Sequence, residues 1–198
     1  MSKIKENSGV LVQGHIKIHD PESGAVFVNK RNAIHYENMS IALAESVANQ
    51  GQGFISSMAF GNGGTSVDPT GIITYLTPNS TGTNASLYNQ TFTKIVDDRS
   101  VSNLDPQRNK IETRHVNGTN YTDVVVTCLL DYGEPNGQDA TDTASASDSL
   151  YVFDELGLVS YASSGTGKLL THVIFHPVQK SLNRLIQIDY TCLLYTSD

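Results

Sequence analysis

The side chains best suited to chemistry in this chain form a few small groups. Asp154 and Glu155 are adjacent, His172 and His176 stand four apart, as do His15 and His19, and Asp139, Asp142 and Asp148 share one polar segment. Two glycine clusters, Gly61-Asn-Gly-Gly64 and Ser164-Gly-Thr-Gly-Lys168, could aim backbone amides at an anion. Paired carboxylates suggest acid–base work. Neighbours on a strand point to opposite faces, however, so a glycoside-hydrolysing pair would have to recruit another carboxylate. Histidines four apart grip zinc on a helix, whereas on a strand, at 3.3 Å per residue, they stand ~13 Å apart and cannot share one metal. The three aspartates lack the regular calcium-loop placement with its closing glutamate, so they read as a solvated acidic loop. In the second glycine cluster, Ala162 and Leu169 stand where a phosphate loop needs glycine and Ser or Thr, and a hairpin turn accounts for it. The first cluster follows a strand and opens into a loop, with no helix dipole to strengthen it, and also reads as a turn. No Gly-x-Ser-x-Gly setting for a nucleophile is present. These residues therefore predict no catalytic, cofactor-binding or metal-ligating site, no cofactor, and a protein that is not an enzyme.

The elements that would hold such groups are mostly strands. The chain has 198 residues, enough for one domain with a sizeable core. Its 13 Lys and Arg against 20 Asp and Glu leave a net charge of -7, which opposes a phosphate-binding surface and argues against nucleic acid as a partner. Only 17% of residues are charged, while Ser, Thr, Asn and Gly abound, a balance that suits β-sheet with many loops better than long solvated helices. The apolar stretch after the N-terminus is broken by Gln13, Gly14 and His15, so it predicts no signal peptide, and no run approaches the ~20 apolar residues of a membrane span. Cys128, inside the apolar run Val124 to Leu130, reads as a small buried hydrophobe. The six Asn-x-Ser/Thr sequons, at Asn38, Asn79, Asn84, Asn89, Asn117 and Asn120, follow from composition and predict no glycan.

Alternation and turn residues place strands at Val10 to Ile18 and Ala25 to Val28, joined as a hairpin with a long loop. Asn32 is the expected N-cap of one amphipathic helix over about residues 33–49, with Tyr36, Met39, Leu43 and Val47 as its buried stripe and Gly51-Gln-Gly53 closing it. Strands follow at Phe54 to Phe60, Leu87 to Val96, Ile111 to Val116, Tyr121 to Leu130, Leu150 to Tyr161, Lys168 to Phe175 and Leu182 to Tyr190. Asn117-Gly118 turns one hairpin. Residues 65–86 and 133–149 read as long polar loops; within the first, Ile72-Ile-Thr-Tyr-Leu76 is either a further strand of the main sheet or a contact strip. The prediction is a single mainly-β domain over residues 1–191, an antiparallel β-sandwich of about nine strands with one helix near the N-terminus.

Three blocks in this order carry a resemblance. Asn32-Ala-Ile-His-Tyr-Glu-Asn-Met-Ser-Ile-Ala-Leu-Ala-Glu-Ser46 leads into Ile55-Ser-Ser-Met-Ala-Phe-Gly-Asn-Gly-Gly-Thr65. Next come Tyr151-Val-Phe-Asp-Glu-Leu-Gly-Leu-Val159, and then Leu170-Thr-His-Val-Ile-Phe-His-Pro-Val-Gln-Lys180 with Leu185-Ile-Gln-Ile-Asp-Tyr190. Together they resemble structural proteins of tailed-bacteriophage virions of the environmental and marine type. The resemblance implies a non-enzymatic virion protein, made in the host cytoplasm, most simply associated with tail, neck or baseplate. Its partners would be other virion proteins and copies of itself, with no nucleic acid and no membrane. A capsid decoration protein is one alternative, and a receptor- or carbohydrate-binding module using Tyr75, Tyr88 and Tyr121 as stacking platforms is another. Cys192-Leu-Leu-Tyr-Thr-Ser-Asp198 departs from the pattern, reads as an interruption of the last strand, and looks like a non-native tail over residues 192–198.

Overall fold

The structure, a computed structural model, describes residues 9–135 and 150–197. Among the described residues the chain is mainly β with one helix, as its composition indicated. Its first hairpin pairs β1 (Gly9–His19) with β2 (Val26–Ile34), and Ile16 and Ile18 are fully buried. β2 runs past Val28 to Ile34, because Asn32 lies opposite Gly14 of β1 and Ile34 opposite Thr171, so sheet pairing outcompetes the capping preference of Asn32.

The helix, α1 (Tyr36–Val47), is capped by His35, whose Nδ1 accepts the Asn38 N–H at 3.2 Å. It ends at Val47 with Ala48 as its C-cap, and the next residue, Asn49, takes φ 52. Left-handed asparagine thus does the closing expected of Gly51-Gln-Gly53. The buried stripe is also corrected: Asn38, Met39 and Ala42 are buried, while Tyr36 and Val47 face solvent. Starting at Tyr36 instead of residue 33 aims the helix from a different anchor.

The remaining strands are β3 (Ile55–Gly61), β4 (Thr65–Val67), β5 (Ile73–Tyr75), β6 (Gln90–Ile95), β7 (Lys110–His115), β8 (Tyr121–Leu130), β9 (Leu150–Ser160), β10 (Thr171–Ser181) and β11 (Ile186–Ser197). Nine of the eleven form one antiparallel sheet in the order β6-β3-β9-β10-β2-β1-β11-β8-β7. This sheet curls, so residues from opposite ends share one core, with Phe60 and Leu158 in the same apolar cluster as Val126 and Ile188. Ile73 to Tyr75 belongs to neither the sheet nor its core; with β4 it makes a separate two-stranded arm.

β10 continues through Pro177 because its register with β9 shifts between Ile174 and Val178, and a bulge is where a sheet tolerates a missing N–H. The β7–β8 turn spans residues 116–120 with Gly118 at φ 84, a longer connection than a two-residue Asn-Gly hairpin. Ser164 to Lys168 is a turn between β9 and β10, closed by the Ser160 N–H on the Lys168 carbonyl at 2.9 Å. Cys128 is buried as expected, and Cys192 is buried and free too; burial pushes both thiols up to about 12.

The expected interruption at Cys192 is corrected. Residues 186–197 form one strand, with Cys192 opposite Gly14 on one side and Val124 on the other. Deleting residues 192–198 removes half of a strand that bridges β1 and β8, together with the buried Cys192 side chain. The shortened chain should lose more than about 3 kcal/mol in a urea or thermal titration, since truncating buried side chains costs this much singly. An unchanged melting curve would show the segment to be dispensable.

Candidate functional site

The polar groups singled out in the sequence converge at the end of β3. β3 stops at Gly61, which lies opposite Glu155 of β9, and the chain then folds over β9 through Asn62 to Thr65. That crossing brings consecutive amides onto consecutive carboxylates. The Gly63 N–H donates to Glu155 Oε1 at 3.0 Å, the Gly64 N–H to Asp154 Oδ1 at 2.9 Å, and the Thr65 N–H to Asp154 Oδ2 at 2.9 Å. The Thr65 hydroxyl also bonds to Asp154 Oδ2. Asp154 and Glu155 were expected to point apart; here one loop reaches both, because it wraps the strand where the β3 ladder ends.

Glu155 holds further partners. The Asn89 N–H donates to Oε1 at 2.8 Å, the Tyr88 N–H to Oε2 at 3.0 Å, and His172 Nε2 to Oε2 at 2.9 Å. His172 Nδ1 in turn accepts the Asn79 N–H at 2.8 Å, which leaves Nε2 to carry the proton that Glu155 accepts. Asp154, Glu155 and His172 are all buried. Burial raises the Glu155 pKa, but the bonds from His172, Asn89, Tyr88 and Gly63 outweigh it, and the carboxyl titrates below its ordinary range.

The Gly61-Asn-Gly-Gly64 cluster, read as a turn that could cradle an anion, therefore does cradle one, supplied by the protein's own side chains. Glycine is required by proximity: a Cβ on Gly61 would lie 2.5 Å from the Asn89 carbonyl, and one on Gly63 2.7 Å from the Asn89 nitrogen. Each oxygen of the two carboxylates accepts at least one protein donor, and both residues are buried, so the arrangement orders the loops that supply the donors.

The other candidates are dispersed. His176 is exposed on β10, with Tyr75 Oη at 3.4 Å from its Nδ1, and His19 pairs with Asp189 at 2.9 Å. Among the described residues, no three His, Cys, Asp or Glu side chains gather as metal ligands. Asp139, Asp142 and Asp148, with most of the 133–149 loop, lie outside the described residues. Tyr88 donates its hydroxyl to the Thr77 carbonyl and packs on His172, while Tyr121 opens β8, so the three tyrosines offered as sugar platforms belong to different elements. Asn38 is buried with its amide on the Leu169 carbonyl, which bars a glycan there.

Two features escaped the sequence. Lys180 is buried and donates to the carbonyls of Asp131 and Ser181, both at 2.9 Å, and burial lowers its pKa. An apolar cavity of about 390 Å³ lies under α1, lined by Met39, Leu43, Ile111, Val124, Leu158 and Leu194 with Asp98 and Arg99 also at its wall. No periodicity signals this cavity, because its walls come from strands distant in the chain. No protein-family profile, curated protein or solved structure matches the chain.

Because its folded-state pKa lies below that of the unfolded chain, ionised Glu155 stabilises the fold above the ordinary carboxylate range, and this contribution is lost as pH falls through the folded value. Stability measured by denaturant titration should therefore decline as pH drops below about 4.5. Glu155→Gln should flatten that decline and cost about 3 kcal/mol at pH 7, because four donors lose their anionic partner. Asp154→Ala should speed amide hydrogen exchange at residues 64–76 while leaving β1, β8 and β11 protected. A uniform change across the chain would contradict a local role for Asp154.

Proposed function

We propose that this protein is a non-catalytic structural subunit of a tailed-bacteriophage particle, associated with tail, neck or baseplate and acting through subunit contacts. The observation that carries the reading is the β4–β5 arm. It stands outside the main sheet and exposes Val67, Ile72, Tyr75 and Leu76, at 62%, 63%, 50% and 40% of their full areas. Its base is held by the Asp154 bonds to Gly64 and Thr65. Its tip is fixed by Asp68, whose Oδ1 accepts the Thr70 N–H at 2.8 Å and the Ile72 N–H at 2.9 Å. A protruding element that is both rigid and apolar has little ordering entropy left to lose when it meets a partner, the property a recognition element needs.

Two further observations favour assembly over turnover. The buried carboxylates and His172 serve to hold this arm and the 88–89 segment in place. The β7 edge carries Lys110, Glu112 and Arg114, linked at 3.0 and 3.1 Å, and such charges discourage indiscriminate strand addition. The order of the three resembling blocks supplies the phage context.

Immunogold labelling of tailed particles that carry the gene, with peptide mass spectrometry of the same particles, tests this directly. The reading expects label at the tail, neck or baseplate. Label over the capsid would replace it with a decoration role, and no detectable copies in purified particles would overturn it. Specific glycan capture by the isolated protein would favour the adhesin alternative.

A further inference from the structure

An asparagine followed by glycine is a pair open to self-modification, because the glycine nitrogen, with no side chain beside it, can approach the asparagine side-chain carbonyl closely. The chain holds three such pairs, Asn62-Gly63, Asn117-Gly118 and Asn136-Gly137, and the third lies outside the described residues. The fold treats the other two in opposite ways.

Asn62-Gly63 is clamped. The Gly63 N–H donates to Glu155 Oε1 at 3.0 Å, so the nitrogen that would attack is bound to an anion that opposes its deprotonation. The Asn62 N–H donates to the Asn89 carbonyl at 3.1 Å, and Asn62 Oδ1 accepts the Asn89 side-chain amide at 2.6 Å. Gly63 also packs so closely that a Cβ on it would lie 2.7 Å from the Asn89 nitrogen. Swinging the Gly63 nitrogen onto the Asn62 side chain would break this set together. Asn117-Gly118 has none of these restraints. Both residues are exposed in the turn between β7 and β8, and among the described residues neither the Gly118 N–H nor the Asn117 side chain holds a hydrogen bond. The turn is closed around them instead, by the Thr119 N–H and hydroxyl on the Val116 carbonyl at 3.1 and 2.7 Å.

We propose that Asn117-Gly118 is a self-modification site, where the folded chain converts to aspartate and isoaspartate, while the Glu155 cradle keeps Asn62-Gly63 intact. Solvent hydroxide removes the Gly118 amide proton, the nitrogen attacks Asn117 Cγ, and the side-chain nitrogen leaves as ammonia, closing a five-membered succinimide. One water then opens the ring. Cleavage between the ring nitrogen and Cγ returns an aspartate in the ordinary backbone. Cleavage between that nitrogen and the backbone carbonyl carbon leaves an isoaspartate, whose main chain runs through Cβ and Cγ. Either product adds a carboxylate to the turn that follows Arg114 and His115. Isoaspartate also lengthens the backbone by one methylene inside a turn closed by both bonds to the Val116 carbonyl. The same turn ties down β11: the Thr196 N–H donates to the Asn120 carbonyl and the Asn120 side-chain amide to the Thr196 carbonyl, both at 2.9 Å. The added methylene therefore loosens the neighbouring ends of β7, β8 and β11, and the turn records the age of each copy.

The test holds the full folded chain in mildly alkaline buffer over days, digests samples at acid pH, where ring closure is slow, and reads each asparagine by tandem mass spectrometry. Asn117 should gain about 1 Da and yield isoaspartate at least ~10-fold faster than Asn62, the factor expected of a hydrogen bond to an anion that must first be given up. In urea the two rates should converge, because both pairs are Asn-Gly and only the fold separates them. Aged wild-type protein should exchange amide hydrogens faster at residues 116–122 and 194–197. Asn117→Gln, which would have to close a larger ring, should keep the exchange pattern of fresh protein. An Asn62 that converts as fast as Asn117 in the folded chain would overturn the assignment, as would an Asn117 that stays unmodified when folded yet converts in urea. Equal loosening of aged Asn117→Gln would remove the turn as the cause of the structural change.

Discussion

Two negative charges are carried into the packed end of β9, and the organisation of that half of the molecule follows from satisfying them. A buried carboxylate without partners costs several kcal/mol, and Asp154 and Glu155 are both buried. The chain meets it with backbone amides from residues 63–65 and 88–89 and with the His172 imidazole. Each donor is a fixed point. Together they determine where the chain leaves β3, where it enters β6, and how His172 is oriented to hold Asn79. The loops are ordered by charge because their composition offers them little apolar surface to bury.

That constraint explains how the sheet can carry an ordered arm over β10. The β4–β5 arm has only three residue pairs, and an isolated hairpin of that length is marginal in water. Asp154 anchors its base and Asp68 its tip, so the arm keeps its shape without burying its own apolar side chains. Val67, Ile72, Tyr75 and Leu76 are then left exposed among the described residues. The curl of the sheet acts elsewhere, since bringing β3 and β9 toward β7, β8 and β11 leaves an apolar space under α1.

The sequence predicted the strands well where alternation or a buried run was strong, as at Tyr121 to Leu130 and Leu150 to Ser160. It failed where tertiary pairing overrode a local preference. Asn32 has the character of an N-cap, yet the ladder to Gly14 keeps it in β2, and His35 caps the helix instead. The strand expected to end at Phe175 runs on to Ser181, because a bulge carries β10 past Pro177. Alternation at Ile72 to Leu76 signalled a strand correctly but was silent on which sheet it joins, because period two reports a pleat and not a partner.

By itself the sequence determined the mainly-β class, the single helix, the burial of Cys128 and the turn character of both glycine clusters, all of which rest on local periodicity, turn chemistry and side-chain hydrophobicity. Only the tertiary structure decided that Asp154 and Glu155 are cradled by the Gly61 to Gly64 loop, that Cys192 lies within a continuous β11, and that an apolar arm and an apolar cleft occur in one chain. The physical reason is the same in each case. The carboxylate cradle and the pairings of Cys192 join residues between 68 and 178 positions apart, and the energy that joins them is that of hydrogen bonds and burial formed only when the sheet closes.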